Sequence, residues 1–175
     1  MAIVRSHRPV AAARIAAIAR QLLDASELCA IATVAPRGRA HVNTAYFAWS
    51  PHFEVVWLSE PSAMHSRHVR FNGTVAIAVY DSRQTWGKPD RGVQLFGSAA
   101  EAAAADVART EKLYAKRFPG FVDAEFSAYR FYLFTSRRLK LFDEHAMAAG
   151  TFVTARVTRE GRLAWERTEI YRSHA

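Results

Sequence analysis

Ser62, His65, Ser66, Arg67, His68 and Arg70 crowd into the short stretch between two strand-like segments, Phe53–Ser59 and Thr74–Tyr80. Together they offer hydroxyl, imidazole and guanidinium donors, and positive charge. The stretch reads as a short helix. Ser59-Glu60-Pro61-Ser62 supplies hydroxyls able to cap free backbone N–H groups and a proline tolerated in a first turn. Asn72-Gly73 supplies the stop, because glycine takes the left-handed conformation at little cost. A helix that begins where a strand ends aims its N-terminal N–H groups and its positive dipole end outward. The chemistry that fits is the holding of an anion, a phosphate-bearing ligand above all.

Other constellations carry less. His65 and His68 stand at i, i+3 and share a helix face, and His41 is a conceivable third metal ligand. No cysteine or carboxylate completes a recognisable spacing, and closed zinc sites need four ligands, so no metal is expected. A hydrogen-bonded or anion-facing pair is the better reading. Cys29 sits in an apolar run without basic neighbours, as an inert core thiol does. The chain has no GxGxxG, GK[ST], GxSxG or CxxC, and neither a triad nor a carboxylate pair can be argued. Catalytic residues stay unassigned.

The elements that must position these groups fit one domain over residues 1–175. It divides into an N-terminal helical part (1–25), a barrel with inserted helices (26–157) and a charged tail (158–175). The chain has 175 residues, half of them hydrophobic (50%), which suffices for a sizeable core. The net charge of +8 is spread without a dense tract, so a solvated arginine-rich surface is expected and nucleic-acid binding is not. No run approaches the roughly 18 apolar residues of a membrane span. The arginines among the first residues interrupt any secretory core, so an amphipathic helix is read there, with Ala11, Ile15, Ile18 and Leu22 on one face. With a single cysteine, a reduced cytoplasmic setting is expected.

Along the chain, 9–24 reads as a helix, Leu28–Val34 and Ala40–Trp49 as strands joined by Pro36-Arg37-Gly38-Arg39, and Phe53–Ser59 as a third. Thr74–Tyr80 and Gly92–Ala99 follow as strands. Between them lies a polar loop whose Trp86 is either a lid or an anchor. Ala100–Phe118 reads as a helix. Ala128–Thr135 and Arg138–Phe142 are one or two strands, and Phe152–Val157 is the last. Many strands at hairpin spacing with few helices predict a mainly β fold: a six- to seven-stranded barrel dressed by helices.

The order helix, LCAIATVAPRGRAHVNTAYFAW, FEVVWLSEPSAMHSRHVRFNGTVAIAVYD, loop, GVQLFGSAAE resembles the pyridoxamine 5'-phosphate oxidase-like FMN-binding split-barrel superfamily over roughly residues 26–142. The resemblance implies a split β-barrel and a homodimer with FMN in the groove between protomers. It also implies flavin-dependent oxidoreductase chemistry on a small molecule. Carried over by position, His41, Asn43, Thr44, Ala45 and Tyr46 flank the ring and ribityl chain. Trp57, Leu58 and Ser59 lie at the pyrimidine side, and Ser62, Met64 and His65 face the phosphate. Gln94 approaches from the partner. Where the family usually has a basic pair, this chain has Met64-His65. An imidazolium at His65 would match a phosphate dianion. Arg67 or Arg70 would substitute only if the helix is short or distorted, since at helical spacing both point elsewhere. A haem-binding split barrel and a cofactor-free, non-enzymatic dimer are the alternatives.

Overall fold

The computed structural model describes residues 2–6, 8–121 and 123–172. Among these residues nine strands and three α-helices follow in the order β1 (Ala2–Ser6), α1 (Ala12–Asp24), β2 (Leu28–Val34), β3 (Ala40–Trp49), β4 (Glu54–Ser59), α2 (Met64–Phe71), β5 (Thr74–Tyr80), β6 (Arg91–Glu101), α3 (Ala104–Arg117), β7 (Arg130–Asp143), β8 (Thr151–Val157) and β9 (Leu163–Arg172). The strand order is β1-β9-β8-β7-β4-β3-β2-β5-β6, and β6 pairs back onto β7. Six strands therefore close into a barrel, which removes its exposed edges.

The chain forms two compact units. The first gathers the residues up to Ser26, Ala78–Leu95 and the residues from Arg137 onward. In it α1 packs on β9 and buries Ile15, Ile18, Ala19, Leu22 and Leu23. The apolar 3.6-residue period of the sequence accounts for that face. Residues 163–172, expected in a charged tail, instead form β9 between β8 and β1. Its charges mask the strand because they are spent across it. Arg138 makes a two-pronged pair with Glu166 at 2.7 and 2.9 Å, and Lys140 meets Glu169 at 3.2 Å.

The second unit, Glu27–Ile77 with Phe96–Ser136, holds the histidine-rich stretch. β2 and β3 pair from Leu28 opposite Tyr46 to Val34 opposite Ala40. Alternation sends Cys29, Ile31 and Thr33 inward, all nearly inaccessible, with Phe47 and Trp57 fully buried. On the opposite face, Leu28, Val42 and Tyr46 stay exposed. Helix α3 lies on β3 and β4, with Tyr114 packed among Ala48, Val56 and Phe131. It begins at Ala104, later than its alanine run suggests. The reason is that Ala99 donates to the Gly73 carbonyl and Ala102 to the Phe131 carbonyl, each at 2.8 Å, which holds the chain extended first.

Candidate functional site

The end of β4 and the start of α2 lie beside the middle of β3, and α3 closes the side. The result is a cavity of about 330 Å³ lined by Asn43, Thr44, Ala45, Tyr46, Leu58, Ser59, His65, Tyr114, Phe126 and Tyr129. The lining is aromatic and polar and, among the described residues, includes no Lys, Arg, Asp or Glu. Asn43, Thr44, Ala45, Tyr46, Leu58, Ser59 and His65 are residues singled out from the sequence, and one cavity brings them together.

The others lie elsewhere. Trp57 is wholly inaccessible and stacks on Tyr132 with ring centroids 5.6 Å apart. His41 sits edge-on to His68 at 5.2 Å, and its Nδ1 is buried without a hydrogen-bond partner. The Ser62 hydroxyl donates to the Glu60 carboxylate at 2.8 Å. Met64 is half exposed, and Gln94 is exposed on β6 in the first unit.

Helix α2 starts at Met64, and its N-cap is Ala63, with no side chain capping it. The hydroxyl cap expected from Ser59 and Ser62 is therefore not made, because both hydroxyls are engaged elsewhere. The first-turn N–H groups have no intrahelical acceptor and no side-chain cap, so the helix start beside His65 is chemically suited to an anion. Arg70 folds back along the helix and its guanidinium donates to the Pro61 carbonyl at 2.7 Å, just ahead of that turn. Helical side chains lean toward the N-terminus, which makes the reach possible.

His65 does not stand free as an imidazolium. Its Nε2 lies 2.7 Å from Ser59 Oγ, and burial, followed by His41 and His68, pushes its pKa below the ordinary histidine value. The His68 Nδ1 lies 3.2 Å from Thr33 Oγ1. Its pKa is likewise lowered, by burial first and then by His41, Arg67 and Arg39. Burial raises the Tyr114 phenol, with Tyr46 adding to the effect, so it stays a protonated donor at neutral pH. The Cys29 thiol is pushed up to about 12 by burial, which keeps it inert. Among the described residues no group of His, Cys, Asp and Glu is placed to hold a metal ion.

The two lowered histidines make stability pH-dependent. The unfolded chain binds their protons more readily than the fold does, so stability is lost as pH falls below the ordinary value of 6.5. Carboxylates held low in the fold, Glu169 among them, add their losses only below 4.5. The urea midpoint is expected to drop between pH 7.5 and 5, and to drop less in His68→Gln. A flat profile in the parent protein would exclude buried neutral histidines.

Tyr114, Phe126 and Tyr129 escape a reading of the sequence. They come from α3 and the following segment, and only tertiary packing brings them to β3. The available signal was aromatic density, with Tyr114, Phe118, Phe121, Phe126 and Tyr129 forming a chain of ring contacts 4.8 to 5.6 Å apart.

Residues 15–142 match the family described as pyridoxamine 5'-phosphate oxidase. The chain belongs to that family. Its closed strands are the family's split barrel, and solved structures share them at low identity. One is a protein from Clostridium acetobutylicum, related to general stress protein 26 and of the pyridoxinephosphate oxidase family. It is 12% identical with a TM-score of 0.64, over 85% of this chain and 97% of that one. A heme binding protein from Mycobacterium smegmatis is 13% identical with a TM-score of 0.60, over 94% and 89%. An Agrobacterium tumefaciens protein of unknown function is 16% identical with a TM-score of 0.63; the match covers 73% of this chain but only 56% of that one. No curated protein matches the sequence. No helix among the described residues is long and apolar enough to cross a membrane.

Proposed function

We propose that this pyridoxamine 5'-phosphate oxidase family member binds FMN in the cavity between β3, β4, α2 and α3 and acts as a flavin-dependent oxidoreductase on a small molecule. The observation that carries the reading is the convergence of Asn43–Tyr46, Leu58, Ser59 and His65 on one aromatic-walled cavity beside an uncapped helix start. The group fits these residues. Tyr46, Tyr114 and Phe126 suit a flat ring, and Asn43 and Ser59 suit its polar edge. The α2 N–H groups, with Arg70 beside them, would take the phosphate in place of the missing basic pair. Bound flavin supplies the electron transfer; the chain supplies orientation and shielding from water.

The reading includes a homodimer, with Gln94 contributed by the partner, and a cytoplasmic setting suited to the single buried thiol. What supports the dimer is the uncharged outer face of β2 and β3, where Leu28, Val42 and Tyr46 are 47%, 64% and 55% exposed. Val42→Glu is expected to halve the mass measured by light scattering. An unchanged dimer would remove this face from the interface.

The test is the visible spectrum of the protein after FMN is added and the excess removed. A retained two-band yellow spectrum is expected; a colourless protein would sink the reading. A second reading is haem binding. It is favoured by the neutral imidazole of His65 at the cavity wall, the form that ligates iron. A sharp haem band with loss of that band in His65→Ala would install it.

A further inference from the structure

We propose that Ser59 and His65 form a nucleophile–base pair that hydrolyses uncharged aryl esters entering the cavity. This goes beyond the flavin reading and stands without it, although both use the same space.

The hydrogen-bond directions assign the roles. Ser66 donates its hydroxyl to Ser59 Oγ at 3.1 Å. The Ser59 proton then has two acceptors, His65 Nε2 at 2.7 Å and the Glu60 carbonyl at 3.5 Å. The shorter contact wins, because hydrogen bonds weaken steeply at the longer distance. With His65 in its Nδ1–H tautomer, Ser59 points its proton at Nε2, the arrangement that activates a serine. The base must be unprotonated, and the burial of His65 beside His41 and His68 keeps it so at neutral pH. Ser59 and His65 are only 6% and 9% exposed, yet both line the cavity, so their accessible atoms open onto it. The uncapped N–H groups of α2 form the positive end at which an oxyanion would develop.

The walls select the substrate class. Leu58, Tyr114, Phe126 and Tyr129 favour an aryl group, and among the described residues no Lys, Arg, Asp or Glu lines the cavity to recognise a charged one.

In the step, Ser59 Oγ bonds to the ester carbonyl carbon as its proton passes to His65 Nε2. The acyl–oxygen bond breaks, and the leaving phenol takes that proton. Water then bonds to the acyl carbon and gives a proton to His65. The Ser59–acyl bond breaks, Ser59 recovers the proton and the carboxylic acid departs.

The full chain is assayed with p-nitrophenyl acetate, and separately treated with a fluorophosphonate probe mapped by mass spectrometry. Turnover about a hundredfold below the parent in Ser59→Ala is expected, in line with the loss of a positioned acid–base pair. The label is expected on Ser59 of the unaltered protein, a result that does not depend on the variant folding. Parent turnover matched by a folded Ser59→Ala, or label absent from Ser59, overturns the proposal. FMN binding separates the two readings. An esterase labelled at Ser59 that does not bind FMN leaves this proposal and removes the flavin one. A flavin-binding protein whose flavin-free form is unlabelled does the reverse.

Discussion

Gly97→Ala is expected to destabilise the protein by about 3 kcal/mol or more, well above the usual effect of a point change. A Cβ built on Gly97 would lie 2.0 Å from the Thr135 carbonyl oxygen and 3.0 Å from the Phe134 ring. The nearer atom is backbone, in the strand that closes the barrel, so no side-chain rotation relieves the clash. β6 and β7 must part, and the ladder that closes the barrel is lost there. Ordinary overpacking of a core costs about 1–3 kcal/mol, because side chains can shift. Gly38→Ala is the comparison. A Cβ there meets nothing within 4 Å, and only its φ of +74° resists the change. A cost of about 1–2 kcal/mol is expected from that conformation. Urea unfolding of both variants decides the matter. Equal losses would mean that the close approach of β6 and β7 is not what Gly97 serves. The site is involved as well, since Ala102, bonded to the Phe131 carbonyl just past β6, leads into the helix that carries Tyr114.

The barrel was legible in the sequence where strands alternate or bury both faces. Leu28–Val34, Ala40–Trp49 and Thr74–Tyr80 stand where β-branched and aromatic residues put them. Phe53 begins a strand by composition but sits in the preceding turn at φ 61°, because the chain must reverse at Ser50 before β4 can pair. β9 was hidden by Arg167 and Glu169, whose charges read as a tail until their partners are known: Glu169 meets Lys140 of β7, and Arg167 pairs with Glu169 of its own strand. The site was half legible. Family order named Asn43–Tyr46, Leu58, Ser59 and His65, which line one cavity. Local chemistry misread Ser59 as a helix cap, because nothing in the sequence says that its hydroxyl turns to His65, six residues on. Tyr114, Phe126 and Tyr129 were beyond reach, since no local pattern encodes which face α3 will cover.

Trp57→Ala separates architecture from ligand binding at the position where they were hardest to tell apart. The family pattern places Trp57 at the flavin, but the side chain is fully buried and stacked on Tyr132 at an interplanar angle of 12°. Truncating such a ring leaves a cavity that the closed barrel cannot collapse around, so a loss of about 3–5 kcal/mol is expected. Trp57→Phe should cost less. The indole Nε1 and the Tyr132 hydroxyl are both buried without hydrogen-bond partners, so replacing the indole sacrifices no bond. Neither change should alter FMN affinity per folded molecule, measured by flavin absorbance below the unfolding transition. If Trp57→Phe keeps its stability but loses affinity at least tenfold, the indole touches the ligand and the barrel must open to admit it. If stability falls and affinity holds, Trp57 belongs to the core, and the aromatic wall of the site is the one built by Tyr46, Tyr114, Phe126 and Tyr129.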